Sequence, residues 1–396
     1  MSLVKKILAS DLCIGCGLCE AVSSDKSCVM QINEKGFYVP TFLGSTDTEV
    51  SQKIAQICPG INVTGNGSAD VWGPIQTLTE AWAIDDRLRK KGSSGGTISA
   101  LATYLLRESK VDAVLQVGVK DGEYLYNQLK VSKTEQDVYS NAASRYAPAL
   151  VFHKILDVFN ASKDVYAFVG KPCDIACMQN LLKAYPQYQG RVKYYIALFC
   201  AGMPSYEGTQ EVIKTFHKQS EPVALKYRGD GWPGNFEAKF ADGSISTMSY
   251  NDSWGKILGK YLGFRCKICP DGIGLLADIS VGDSWNTKDG YPDFTEADGK
   301  SFMMVRTTAG LDLMNGAIEM GYLHTNSLDK SRVSQLQPYQ YKRRLLVGYR
   351  ILPVQIFTGF LLRFNGLGLL RLMLKAKLSE GLRNMVGTAR RFMKGN

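Results

Sequence analysis

The sequence predicts an α/β fold (α+β overall), with a small ferredoxin-like cysteine-rich module in front and a basic helical tail behind. Three observations carry that expectation. Between Ile75 and Met203, runs rich in valine and tyrosine alternate with segments of helical period. Near the start stands Leu12-Cys13-Ile14-Gly15-Cys16-Gly17-Leu18-Cys19, three thiols at every third position with glycines between. From Lys342 to Asn396 there are 12 Lys and Arg against a single acid, Glu380.

With 396 residues, 45% of them hydrophobic, the chain can bury a large core in more than one domain. Four segments are expected, 1–62, 75–203, 204–340 and 341–396. Met1 to Ser10 carries two lysines and no long apolar run, so no signal peptide is expected. That points to the reducing cytoplasm, where ten cysteines mean metal or redox chemistry more than disulfides. Asn62-Val63-Thr64 then carries no weight as a glycosylation site. The net charge is +10, but the first 341 residues hold 35 basic and 36 acidic groups. The excess is all in the tail, and the body implies no nucleic-acid partner.

In the first segment, Cys13, Cys16 and Cys19 are spaced as iron–sulfur ligands, and a tight glycine loop lets backbone amides point at the sulfurs. Cys58, followed by Pro59, is the expected fourth ligand of a [4Fe-4S] cluster. Cys28 competes but lacks the proline. Structural zinc is the alternative, although zinc sites usually come as two separated Cys-x-x-Cys pairs. Gly36 to Pro40 reads as a short strand ending at its proline. Ile61 to Pro74, rich in Gly, Asn and Ser, reads as a linker.

Strands are expected over Ala113 to Val119, Val165 to Val169 and Tyr194 to Phe199, and helices over Thr97 to Arg107 and Ala149 to Phe159. Ser93-Ser94-Gly95-Gly96-Thr97 opens the first helix. Alone it is a cap and turn; free amides there can also seat a phosphate. In Gly170-Lys171-Pro172-Cys173-Asp174, a strand ends and proline opens a helix, placing Cys173 in the positive first turn, where a thiolate is stabilised. Cys200 ends the next strand. Phe236 to Phe240 and Ser244 to Met248 flank Asp242-Gly243 as a hairpin. Cys266 and Cys269 form a Cys-x-x-Cys pair outside any thioredoxin-like context. With Cys173 and Cys200 they give four thiolates for a second cluster, provided three distant segments converge. Ala277 to Trp285 reads as a strand running into a glycine-acid turn. Three histidines give a hydrolase little support, and His153 is expected as a core residue.

In the tail, Ile351 to Leu362 is uncharged but too short to span a bilayer, and it contains Pro353. An amphipathic basic segment of this kind fits an anionic membrane surface, the body of the protein, or the acidic face of a redox partner.

Taken together, the N-terminal cysteines, Gly92 to Gly96, Ser144-Arg145-Tyr146, Gly170 to Asp174, Phe199-Cys200, Arg265 to Cys269 and Ala277 to Asp283 resemble the coenzyme F420 hydrogenase/dehydrogenase beta-subunit family of iron–sulfur flavoproteins. The likeness covers most of the chain. It implies a second [4Fe-4S] cluster on Cys173, Cys200, Cys266 and Cys269, beside an FAD. The flavin would lie against Ser93, Ser94, Gly95, Gly96 and Thr97 and against Ser144, Arg145 and Tyr146, with Gly282 and Asp283 nearby. Cys177 matches no family ligand; one helical turn after Cys173, it stays an alternative.

The resemblance therefore implies an oxidoreductase that takes electrons from ferredoxin through two [4Fe-4S] clusters to FAD. From there they would pass to a small-molecule or glycan-linked substrate, with Lys171, Asp174 and Tyr146 as candidate proton donors by position. Bacterial relatives that accompany polysaccharide genes look most similar. The alternative is an electron-transfer subunit serving a partner enzyme. A third reading is a zinc scaffold on the inner face of the membrane, anchored by the tail.

Overall fold

In the computed structural model, which describes residues 3–23, 27–44, 48–65, 67–68, 70–359 and 361–394, the alternating apolar runs form a single nine-stranded sheet. Its order is Leu323–Ser327, Thr77–Ala83, Ser301–Val305, Ile279–Asp283, Val192–Leu198, Tyr166–Gly170, Ala113–Lys120, Glu123–Ser132 and Ala149–Leu150. Ile279–Asp283, Val192–Leu198, Tyr166–Gly170 and Ala113–Lys120 run parallel. Antiparallel strands flank them, and the short Ala149–Leu150 strand closes one edge parallel to its neighbour.

Parallel strands need cover on both faces, and the alternation of side chains supplies it. Tyr166 and Phe168 point to one side, into a core shared with Ile175, Met178 and Leu181 of the Pro172–Ala184 helix. Ala167 and Val169 point to the other, where Leu101 and Leu105 of Thr97–Arg107 meet Leu313 and Met314 of Thr308–Glu319. Each fully buried side chain of this size contributes about 1.5–3 kcal/mol. The N-terminal residues Val4, Leu18, Val22, Ile54 and Ile57 join the first of these cores, so they lie over the helix that carries Cys173.

The Thr97–Arg107 helix has the expected bounds, and the expected strands and hairpin are present to within two residues. Three segments differ. Instead of one helix over Ala149 to Phe159, Ala149 and Leu150 pair with Asn127 and Gln128, and the helix begins only at Ile155. Helical period in a short apolar run cannot register that a sheet edge is free to take it. The Tyr38–Phe42 strand runs through Pro40, tolerated because its two-stranded ribbon with Cys28–Ile32 leaves an open edge. Within the expected linker, Asn62–Thr64 pairs parallel with Arg363–Asn365, and Trp72 is buried. Asn66 and Ala69 lie outside the described residues.

The expected boundary at 340/341 falls inside the Pro338–Thr358 helix, whose Arg343 and Arg344 face inward and are almost fully buried. Among the described residues no helix is long and apolar enough to cross a membrane.

Candidate functional site

The four parallel strands end at one edge, where α/β sheets offer ligand crevices. A cleft opens there, its cavity about 290 Å³ and widening into an open mouth, close to the lower end of the size of ligand pockets. It is lined by Ser93, Ser94, Gly96 and Thr97, by Ser144, Arg145 and Tyr146, by Lys171 and Asp174, and by Gly282 and Asp283. Of the residues expected around a flavin, only Gly95 stays off the wall. Its φ is +65°, and a Cβ there would come within 2.7 Å of the Gly299 carbonyl, so it serves close backbone packing.

Two features of the cleft suit an anion. Gly96 caps the Thr97–Arg107 helix in a left-handed conformation with no side-chain cap, so its first-turn amides are left for a ligand. Arg145 is half-buried with its Nε enclosed and unpartnered, and desolvation pulls its pKa below the usual arginine range. Among the described residues no carboxylate pairs with it. A phosphate is the kind of group each of them suits.

The wall is held by a residue that the sequence reading missed. Arg228, 2% exposed, forms a two-pronged pair with Asp283 at 3.0 and 2.9 Å. It also donates to the Ser93 carbonyl and, at 3.3 Å, to the Tyr146 hydroxyl. Its guanidinium lies over Tyr250 and Trp285, 4.8 and 5.1 Å from the ring centres. Burial works against its charge, but the Asp283 carboxylate more than compensates and raises its pKa. Three segments far apart in sequence are thus tied to one cation. The signal that marks it is Gly229-Asp230-Gly231-Trp232-Pro233-Gly234, a glycine-rich turn directly after the arginine.

Behind the cleft, Cys173, Cys200, Cys266 and Cys269 line one smaller cavity, so the three distant segments do converge. Lys171, Cys200, Gly202 and Met203 line both spaces. Cys173 sits in the first helical turn as expected, yet its thiol pKa is raised well above the ordinary value. Burial and the neighbouring Asp174 outweigh the helix end, so Cys173 is not a free thiolate on its own. Burial likewise pushes Cys200 up to about 12. Thiols so placed give up their protons readily only to a metal. Arg343 supplies a buried cation to the same cavity, donating to the Cys200 and Cys266 carbonyls at 2.9 and 2.8 Å.

Lys171 stands at the junction of the two spaces, its Nζ 2.6 Å from Asp174 Oδ2. Burial lowers its pKa, but Asp174 and the Cys173 and Cys200 sulfurs raise it further, so it remains charged. Lys171 is thus a fixed cation, while Asp174 Oδ1 faces inward without a partner.

The N-terminal thiols gather as a second group. Cys13, Cys19 and Cys58 are half-buried and lie within electrostatic reach of one another and of Cys16. Burial pushes Cys58 up to about 12. Cys28, at the start of the Cys28–Ile32 strand, is near Cys13 and Cys19. Cys177 turns away from the Cys173 cavity: it is fully buried and hydrogen-bonds the Cys16 sulfur. Among the described residues no three His, Cys, Asp or Glu side chains close on a single-ion site. A four-iron cube is far wider than one ion, so its thiols need to surround a space rather than meet at a point.

The two thiol groups are neighbours. Ile14, inside the N-terminal cysteine loop, lines the Cys173 cavity. Arg265, next to Cys266 and 2% exposed, donates to the Gly60 and Pro59 carbonyls at 2.6 and 2.8 Å, clamping the Cys58 turn to the Cys266 helix. The chain therefore sets first thiol group, second thiol group and cleft side by side. The zinc alternative would use neither this succession nor the anion-seeking groups in the cleft.

Two family models match the chain, both for the beta subunit of coenzyme F420 hydrogenase/dehydrogenase: the model of its N-terminal part matches residues 78–156, and the model of its C-terminal part matches residues 163–331. The N-terminal thiol group and the last helices lie outside both ranges. Coenzyme F420 hydrogenase subunit beta of Methanococcus voltae is 27% identical over 262 residues, 65% of this chain and 86% of that one. F420-dependent formate dehydrogenase 1 subunit beta of Methanococcus maripaludis is 29% identical over 247 residues, 62% of this chain and 60% of that one. A chain of the F420-reducing [NiFe] hydrogenase complex from Methanosarcina barkeri shares the fold, with a TM-score of 0.54 and 22% identity over 70% of this chain and 92% of its own.

Proposed function

The chain belongs to the coenzyme F420 hydrogenase/dehydrogenase beta-subunit family, and from that premise we propose that it is an electron-transfer subunit serving a partner oxidoreductase. Two relatives carry names of hydrogenase and formate dehydrogenase subunits, which supports a catalytic partner. None of the relatives named above is a polysaccharide enzyme, so that role is dropped.

The observation that carries the reading is the shared wall of Lys171, Cys200, Gly202 and Met203 between the thiol cavity and the anion-seeking cleft. Cys13, Cys16, Cys19 and Cys58 would hold one [4Fe-4S] cluster, and Cys173, Cys200, Cys266 and Cys269 the other. Bound FAD would supply the conversion between single electrons and pairs. Arg145 and the first-turn amides of the Thr97–Arg107 helix would bind its phosphates. Arg228 orients Ser93, Tyr146 and Asp283 around it. Lys171 holds a proton and a positive charge where electrons cross from cavity to cleft, favouring negative charge on that side. The N-terminal thiol group would receive electrons from a carrier such as ferredoxin in a reducing cytoplasm.

Anaerobic purification should yield about eight iron and one FAD per chain. Reduction should bleach the flavin along with the clusters, while the isolated chain turns over small organic substrates poorly until its partner is added. A folded, colourless, iron-free protein would refute the cofactors. Steady reduction of an organic substrate by the chain alone would refute the subunit role.

A further inference from the structure

We propose that the C-terminal helices form a docking surface for the anionic face of a phospholipid bilayer, independently of the redox reading above. Three helices, Pro338–Thr358, Leu369–Lys375 and Leu378–Met393, make up this region. Their inner faces are fastened to the body. Val347, Ile351 and Val354 are buried with Leu12, Ile61 and Phe264, Leu372 is buried with Trp72 and Leu275, and Phe392 meets Phe264 with ring centres 5.6 Å apart, while Gly381 lies against the Tyr349 ring and ties the helices to one another. The surface they turn outward is therefore held in place by packing.

That surface is unusual in what it exposes. Nine of the 21 large apolar side chains exposed among the described residues fall between Leu352 and Met393. Leu370, Leu374 and Leu378 are 71, 80 and 64% exposed, and Leu382, Val386 and Met393 continue along the last helix. A concentration of this kind marks a contact surface. Arg371, Lys377, Arg383 and Arg390 stand exposed among these residues, and Glu380 is the single acid after residue 341.

Charge complementarity selects the occupant. Leucines flanked by cations on short surface helices match a headgroup layer, in which apolar side chains enter the acyl boundary and guanidinium groups meet phosphates. A protein-docking patch would instead be rich in aromatic residues, and among the nine exposed apolar side chains from Leu352 to Met393 Phe357 is the one ring. Among the described residues no helix is long and apolar enough to cross, and on an anionic surface these three would lie flat. The Cys266 segment would be held close to the bilayer, because Phe392 contacts Phe264 and Arg350 donates to the Lys267 carbonyl.

The test is flotation of the purified full chain with vesicles of zwitterionic lipid alone or with added anionic phospholipid. Binding is expected only to the anionic vesicles, falling as salt is raised. Leu374→Glu with Leu378→Glu should abolish it. Arg383→Gln with Arg390→Gln should weaken it on the order of tenfold or more. All four side chains are exposed, so circular dichroism and melting should be unchanged, which distinguishes lost docking from lost fold. The proposal is overturned by absence of binding, by equal binding to both vesicle types, by binding that survives the leucine changes, or by light scattering that shows a dimer dissolved by those changes.

Discussion

Arg145 illustrates how a residue can burden the fold and still serve the site. It is half-buried, among the described residues no carboxylate pairs with it, and its enclosed Nε makes no hydrogen bond. Leaving such a donor unsatisfied costs about 1–3 kcal/mol. Arg145→Met should therefore leave the cofactor-free protein as stable as before, or more stable by about 1 kcal/mol, in chemical denaturation. The same change should weaken binding of FAD, followed by fluorescence quenching, on the order of tenfold to a hundredfold. Equal loss of both properties would show that Arg145 is a structural residue. Arg228 differs in kind, because its charge is already matched by Asp283 and its role is to hold Ser93 and Tyr146 in place.

At the scale of elements, Asp278 joins a strand to a helix. Its Oδ2 accepts from the Tyr195 amide in Val192–Leu198, and its Oδ1 accepts from the hydroxyl of Thr307, the N-cap of Thr308–Glu319. Burial outweighs both bonds and raises its pKa above the ordinary carboxylate value. A raised folded-state pKa adds stability below the unfolded value, about 4, which is lost as pH rises through the folded value. An amide can keep the acceptor and offer a donor to Thr307. Asp278→Asn should thus be as stable as the parent at about pH 4 and more stable at about pH 7, so that stability climbs more steeply with pH than in the parent. Urea midpoints across that range decide it, and a loss at neutral pH would mean that the charge itself is needed. The Ala149 segment shows the limit of local reading at this scale: its apolar spacing suits a helix, but the free edge at Asn127 and Gln128 claims its first two residues.

Across the whole molecule, Arg265 bridges two modules whose cysteines lie some two hundred residues apart in the chain, with one cation between two thiol cages. Loss of a positive charge makes each neighbouring cage harder to reduce. If the two thiol groups hold the clusters proposed for them, Arg265→Met should lower both midpoint potentials by roughly tens of millivolts, read by spin-resonance titration. It should also free the Cys58 turn, destabilising the N-terminal module by about 3 kcal/mol. If only one potential moved, the clamp would belong to a single cage.

Much of this was legible beforehand because cysteine spacing, helix starts and strand ends are local properties, fixed by backbone geometry over a few residues. Cys13 to Cys19, the Gly96 helix start and the Gly170 to Asp174 turn could each be read in that way, and the family resemblance placed most of the remaining cleft residues. What the tertiary structure alone decided was how those pieces meet. Arg228 stands beside a glycine-rich turn and Arg265 beside Cys266, but what those two and Arg343 do comes from burial and from partners distant in sequence. The same holds for Cys173, whose helix position promised a thiolate until desolvation reversed it. Desolvation and long-range contact depend on what the rest of the chain brings near, and one-dimensional order does not record that.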